Sequence, residues 1–105
     1  MKNDRLYKAV KILLLDEDNI KLRVIKACDI LQSINRNELS EHLFNRLKSV
    51  LKEASKNGPR RNEVTGAVIS GAFVNTAINR HRKTYIPLAK EIYDIYIENE
   101  GCNKY

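Results

Sequence analysis

Apolar residues recur every three or four positions along most of the chain, which is the spacing of one face of an α-helix. The first helix is predicted to begin at Asn3 or Asp4, because either side chain can cap the amide groups of a first turn. Its predicted apolar face consists of Leu6, Tyr7, Val10, Leu13 and Leu14. An acidic run at residues 16–18 then breaks the pattern, and we expect it to favour the dipole at the start of a second helix.

The second predicted helix covers about residues 19–34 and carries the clearest apolar stripe of the chain. That stripe consists of Ile20, Val24, Ala27, Cys28, Leu31 and Ile34, and the residues predicted to face away from it are Lys21, Arg23, Lys26 and Asp29. A third helix is predicted to follow Asn35 or Asn37 and to reach about Lys56, where Gly58 and Pro59 form a stop signal.

The segment at residues 64–79 carries no charge and is rich in β-branched residues and glycine, so propensity alone favours a strand. A lone strand would have no partner in a helical chain. We therefore predict a buried helix at about residues 62–79, whose glycine and alanine residues allow close helix packing. A helix-turn-helix at residues 63–82 is the alternative, with Ala67 as its packed alanine and Gly71 as its turn glycine.

The last helix is predicted to begin between Thr84 and Pro87, since proline is tolerated in a first turn, and to end at Gly101. Its apolar face consists of Leu88, Ile92, Ile95 and Tyr96, flanked by Tyr85, Ala89 and Tyr93. Residues 97–105 are expected to be a frayed tail. The patterns together predict an all-α fold, in which residues 1–105 form one compact bundle of four to five helices around the second helix.

Composition narrows the class of protein further. Two cysteines do not make a disulfide framework, the N-terminal residues are too charged for a signal peptide, and no apolar run has the length of a membrane span. We therefore expect a cytoplasmic protein without membrane contact. No spacing typical of a metal, cofactor or small-molecule site is present, and neither a glycine-rich phosphate loop nor a nucleophile elbow occurs. These patterns favour a protein that is not an enzyme.

The net charge is +6, and the positive excess concentrates at residues 59–84. The cations of that segment are Arg60, Arg61, Arg80, Arg82 and Lys83. If residues 62–79 are one helix, the two cationic clusters lie roughly 28 Å apart at about 1.5 Å per residue. Cations spaced in this way can follow a phosphate backbone. The charge map therefore predicts a non-enzymatic regulatory or accessory protein that binds DNA or RNA through these five residues.

Two other functions stay open. Tyr85, Tyr93, Tyr96 and Tyr105 are anchors of the kind that protein interfaces favour, so the chain can be a helical protein–protein interaction module, such as an immunity, anti-host or adaptor protein, or a homodimer. Arg36 and His42, with Asn37 after the arginine, resemble the Arg-x₄₋₆-His motif of the HEPN ribonucleases. That resemblance implies that Arg36 stabilises phosphate charge and that His42 assists proton transfer from a 2′-hydroxyl group.

Overall fold

The computed structural model describes residues 3–58, 60–61, 64–66, 68–78 and 80–101, and for residues 60–61 and 68–70 it describes the backbone alone. Most of the described chain is helical, so the predicted all-α fold is confirmed. The helices are α1 (Asp4–Leu15), α2 (Ile20–Leu31), a 3₁₀ turn at Arg36–Glu38, α3 (Glu41–Ala54), α4 (Ala72–Ile78) and α5 (Arg82–Glu100). The strands are β1 (Arg60–Arg61) and β2 (Val68–Ser70), which pair antiparallel.

Polar caps explain where the first three long helices begin. The side chain of Asn3 accepts a hydrogen bond from the Leu6 amide at 3.0 Å, and Asn19 caps α2 in the same way. Ser40 caps α3, whereas the predicted start at Asn35 opens only the 3₁₀ turn. Each cap satisfies an amide that has no partner inside its helix, which sets the first residue of the helix.

The last helix begins earlier than the sequence pattern predicts, whereas its predicted end at Gly101 is confirmed. α5 begins at Arg82, so Pro87 lies inside the helix and supplies no amide hydrogen bond to the Lys83 carbonyl. It continues to Glu100, where Gly101 ends it with a φ of 69°. The expected frayed tail is therefore wrong for residues 97–100, and residues 102–105 lie outside the described chain.

The core lies between α1, α2, α3 and α5, and α2 contacts each of the other helices, as the prediction of a bundle around it requires. The largest fully buried apolar side chains are Tyr85, Leu6, Leu31, Leu47, Ile92 and Ile95. Burial of a leucine or isoleucine side chain contributes roughly 1.5–3 kcal/mol each. Two residues of the predicted first apolar face, Tyr7 and Leu14, are exposed instead, because α1 packs only against α2 and α5 and buries a narrower arc.

The prediction of one buried helix at residues 62–79 is wrong. Residues 68–70 form a strand, Gly66 adopts a φ of +73° that reverses the chain, and only α4 is helical. The strand partner is β1, a two-residue segment beyond the α3 stop that carries no strand signal of its own. The helix-turn-helix alternative is wrong for the same reason, since its first helix would include β2. The segment is also not deeply buried throughout, because Gly71, Val74 and Ile78 are exposed.

Thr76 holds α4 against the end of α3. Its side chain is 1% exposed, and its hydroxyl accepts a hydrogen bond from the Asn57 amide at 3.0 Å and donates one to the Ala72 carbonyl at 2.8 Å. The Asn75 side-chain amide donates to the Gly58 carbonyl at 2.9 Å beside it. The short helix α4 is thus attached through buried polar contacts as well as apolar packing.

Thr76→Val keeps the shape of the side chain and removes both hydroxyl hydrogen bonds. We expect the free energy of unfolding to fall by about 1 kcal/mol, because the hydrogen bond between the Asn57 amide and the buried Thr76 side chain is lost. Urea denaturation measures the loss. Thr76→Ser is the control, since it keeps the hydroxyl and removes one methyl group. A valine variant that is more stable than the serine variant would contradict the role given to the hydroxyl.

Ion pairs join the ends of the bundle. Glu38 accepts hydrogen bonds from Asn3, from Arg5 and from the Asn35 amide, and that amide does most to lower the pKa of Glu38. On the other side of α3, the Arg46 guanidinium pairs with two carboxylates of α5, those of Glu91 and Glu98. Its hydrogen bonds lower the pKa of Glu91.

These lowered pKa values predict a loss of stability in acid. The carboxylates of Glu38 and Glu91 stabilise the fold above the ordinary value of 4.5, and their contribution is lost as the pH falls through the lower folded-state pKa values. Denaturant titrations over a series of acidic pH values measure the effect. We expect the double variant Glu38→Gln, Glu91→Gln to be less stable at neutral pH and to lose less on acidification, and an unchanged pH profile would count against this account.

Candidate anion-binding site

The structure places the five predicted phosphate-binding cations in three different settings. Arg82 and Lys83 are the first two residues of α5, and both are exposed. Arg80 lies in the turn before that helix. Arg60 and Arg61 form β1, whose pairing is with β2, and their side chains lie outside what the structure describes. The separation of about 28 Å that a continuous helix implied no longer applies.

Arg80 is engaged inside the protein. Its Nη2 atom lies 3.0 Å from Oε1 of Glu53 on α3, and the arginine side chain is only 23% exposed. The pair links the turn before α5 to α3. Because its charge is already matched by a carboxylate, Arg80 is a structural tether here and not part of the candidate site.

Arg82 and Lys83 line a cavity of about 530 Å³ between the start of α2 and the start of α5. The described residues that line it are Ile20, Arg23, His81, Arg82, Lys83 and Ile86. Both isoleucines supply apolar surface, and the two helices together supply three permanently positive side chains. None of these six residues is acidic, so the cavity combines an apolar wall with an excess of positive charge.

Among the described residues that line the cavity, Arg23 differs from an ordinary solvated cation in its hydrogen bonding. Its Nη1 atom donates to the Leu13 carbonyl at 2.9 Å, near the end of α1. Its Nε atom is buried and has no hydrogen-bond partner within the described chain. A guanidinium stays charged at any physiological pH and carries five N–H donors. Arg23 therefore places a positive side chain without a described carboxylate partner at the wall of the cavity, and its unsatisfied Nε donor is buried away from solvent.

The backbone at the start of α5 also favours the binding of an anion. The first amides of a helix have no partner inside the helix, and the helix dipole places partial positive charge at the same end. In α5 the Thr84 amide donates to the His81 carbonyl at 3.0 Å and is not available to an anion, which leaves the two amides before it. His81 precedes the helix and makes no side-chain capping hydrogen bond, so no side chain of the N-cap residue competes for these amides. Together with Arg23, Arg82 and Lys83, they form a site whose chemistry suits an oxyanion such as phosphate.

The sequence pattern missed Arg23 and His81. Arg23 was assigned to the face of the second helix that points away from the core, but it lies at the edge of the apolar stripe, three residues after Ile20. That spacing was a usable signal, because residues three apart share a helix face. For His81, which lines the cavity and makes no side-chain capping hydrogen bond, the sequence pattern holds no comparable signal.

The HEPN-like residues lie at another part of the molecule. The Arg36 guanidinium stands 5.7 Å from the centre of the Phe44 ring, and the Lys48 ammonium lies 6.0 Å from the same ring. His42 is exposed in the first turn of α3. Among the described residues, no group of three histidine, cysteine or carboxylate side chains gathers as a metal site. The ribonuclease function stays a prediction from the motif.

Cys28 is a packing residue in this structure. Its side chain is fully buried on α2, and burial raises the pKa of the thiol to about 12. The thiolate is the reactive form of cysteine, so the folded protein holds Cys28 in its unreactive form at neutral pH.

We expect Cys28 to resist thiol reagents until the protein unfolds. The measurement uses a Cys102→Ser background, in which Cys28 is the remaining thiol, and follows reaction with a chromogenic disulfide with and without denaturant. Slow reaction in buffer and rapid reaction in denaturant is the expected result. Equal rates in the two conditions would show that the thiol is accessible in the fold.

None of the described helices combines the length and the apolar character needed to cross a lipid bilayer. The chain matches no protein-family model, and the searches of curated proteins and of solved structures gave no significant match. No relative's activity therefore bears on the cavity at the start of α5, and its chemistry is read from its own residues.

Proposed function

We propose that this protein binds nucleic acid without acting as an enzyme, and that it contacts phosphate groups at the start of α5. The contacts would come from Arg82 and Lys83 at the surface and from Arg23 within the cavity. The observation that carries the proposal is the convergence of these three cations around one cavity, with no acid among its six described lining residues. DNA and RNA share the phosphate chemistry that such a site recognises.

The charge balance of the whole chain supports a polyanion over a single small anion. The described ion pairs engage six of the thirteen acids with four cations, which leaves fifteen cations against seven acids in the rest of the sequence. Outside these ion pairs, the protein is therefore more positive than its net charge of +6. An excess of this kind attracts a phosphate backbone over a distance, and the local site then fixes where it binds.

The proposal changes the set of contacts that the sequence predicted. Arg80 is left out, because its guanidinium already pairs with Glu53. Arg60 and Arg61 stay as proposed contacts from β1, since their positions in the chain are described but their side chains are not. Arg23 is added, because it lines the same cavity as Arg82 and Lys83.

A protein–protein interaction module is the second candidate. Tyr7 and Leu14 on α1 and Tyr93 on α5 are between 42% and 64% exposed, although each is a large apolar or aromatic residue. Exposed apolar residues that gather on adjoining helices are typical of interaction surfaces.

The test compares two pairs of substitutions that remove the same charge. Arg82→Gln with Lys83→Gln changes the proposed site, and Lys8→Gln with Lys11→Gln changes two exposed cations of α1. Fluorescence anisotropy with labelled duplex DNA and single-stranded RNA, at several salt concentrations, gives affinity and its salt dependence. We expect the site pair to lower affinity about tenfold at low salt and to reduce the salt slope on duplex DNA by about 2.

The α1 pair should lower the affinity by a smaller factor, because Lys8 and Lys11 lie outside the proposed site and attract the nucleic acid only through the net charge of the protein. Arg23→Gln should also weaken binding, and a thermal melt checks that losing its bond to Leu13 leaves the fold intact. Equal losses from the two pairs would mean that net charge alone attracts the nucleic acid. Absence of binding by the unaltered protein at low salt would refute the proposal.

A further inference from the structure

A second apolar stripe runs along α5, on the side that faces away from the core. Ile86 and Tyr93 are 47% and 42% exposed, and Ile97 is half-buried. The stripe consists of Ile86, Lys90, Tyr93 and Ile97, which are separated by four, three and four positions. That alternation is the spacing of the seam at which two helices meet in a coiled coil. The core face of the same helix is different and consists of Tyr85, Ile92 and Ile95.

The surface beside this seam is also apolar. A groove of about 380 Å³ runs between α1 and α5 and is lined in part by Val10, Leu13, Leu14, Ala89 and Tyr93. Leu14 is 64% exposed at its edge, and the exposed ring of Tyr7 lies farther along α1, 6.4 Å from the ring of Tyr96. The seam and the groove together make one apolar surface on adjoining helices.

The charges next to the seam indicate what covers it. Lys90 and Asp94 are exposed one helical turn apart, and in the described chain neither lies within ion-pair distance of an opposite charge, although Arg46 is near enough to Asp94 to interact with it electrostatically. If a second α5 lies antiparallel across the first, Lys90 meets the partner's Asp94 and Asp94 meets the partner's Lys90. The same register places Ile86 beside the partner's Ile97, one residue away from direct opposition. A parallel arrangement would instead bring the two copies of Lys90 together, at a cost in free energy.

We propose that two copies of this protein associate through α5, antiparallel and related by a two-fold axis near position 92. Both copies use the same surface, as a two-fold interface requires. The stripe between Ile86 and Ile97 is about 17 Å long, and the exposed tyrosine gives it an aromatic anchor. Because the seam is short and includes a lysine, the dimer forms weakly and dissociates on dilution.

Charge reversal at the two positions tests the register directly. Lys90→Glu places acid against acid at both contacts of the dimer, and Asp94→Lys places cation against cation. Sedimentation analysis over a range of concentrations measures the dissociation constant of each protein. We expect a dimer for the unaltered protein and an increase of about tenfold or more in the dissociation constant of each single variant.

An equimolar mixture of the two variants provides the decisive comparison. In a mixed dimer each contact again joins opposite charges, so we expect association to return to nearly the strength of the unaltered protein. Lys48→Glu is the control, because Lys48 is an exposed cation on α3 and lies outside the proposed interface. All the substituted positions are exposed, and circular dichroism confirms that each variant is folded.

Three results would overturn the proposal. One is an unaltered protein that stays monomeric at the highest concentration it tolerates in solution. Another is a dimer that neither charge reversal weakens, which would place the interface elsewhere. The third is a mixture of the two variants that associates no better than either variant alone.

Discussion

The burial of one face of α5 against α1, α2 and α3 is the contact on which the rest of the molecule depends. Tyr85, Ile92 and Ile95 lie at the centre of that contact, and each is at most 1% exposed. α1 and α3 each contact α2 and α5 but make few contacts with each other, so α5 is the helix that closes the bundle. The fixed orientation of α5 then determines where its first residues and its outer face point.

Because α5 is fixed in this orientation, its start, its outer side and its side towards α3 have separate roles. Its start meets α2, where Arg23 joins Arg82 and Lys83 around the cavity. Its outer side leaves Ile86, Lys90 and Tyr93 at the surface. Its side towards α3 holds the carboxylates that pair with Arg46. The proposed phosphate site and the proposed dimer seam share Ile86, which lines the cavity and begins the seam. The two can be tested separately because the charged residues changed in each test differ.

The charged residues likewise fall into two groups, those that form ion pairs across the bundle and those around the cavity. The ion pairs that span the bundle use carboxylates for structure, as Glu53 does with Arg80 and Glu38 with Arg5. The two pairs differ in exposure, since the Arg80 side chain is 23% exposed and the Arg5 side chain 46% exposed. An ion pair leaves the net charge of the protein unchanged, so the cations at the start of α5 stand out because no acid is among the described residues that line their cavity. The excess of positive charge at residues 59–84 of the sequence therefore remains at Arg82 and Lys83, while Glu53 offsets Arg80.

Much of the fold followed from the sequence by itself. The apolar stripe of α2 and a cap at Asn3 or Asp4 are local signals, because each depends on residues within one or two turns, and the structure has Asn3 as the cap. The clustering of Arg82 and Lys83 was visible for the same reason. The predicted end of the third helix at about Lys56 lies two residues beyond its observed end at Ala54. The tertiary structure alone decided the features that join distant residues. β2 needed β1 as its partner, Arg80 needed Glu53, and Arg23 became a cavity residue only when α5 packed beside α2. A strand pair, an ion pair and a cavity each depend on which elements meet in space, and the periodicity of a single segment holds no information about that meeting.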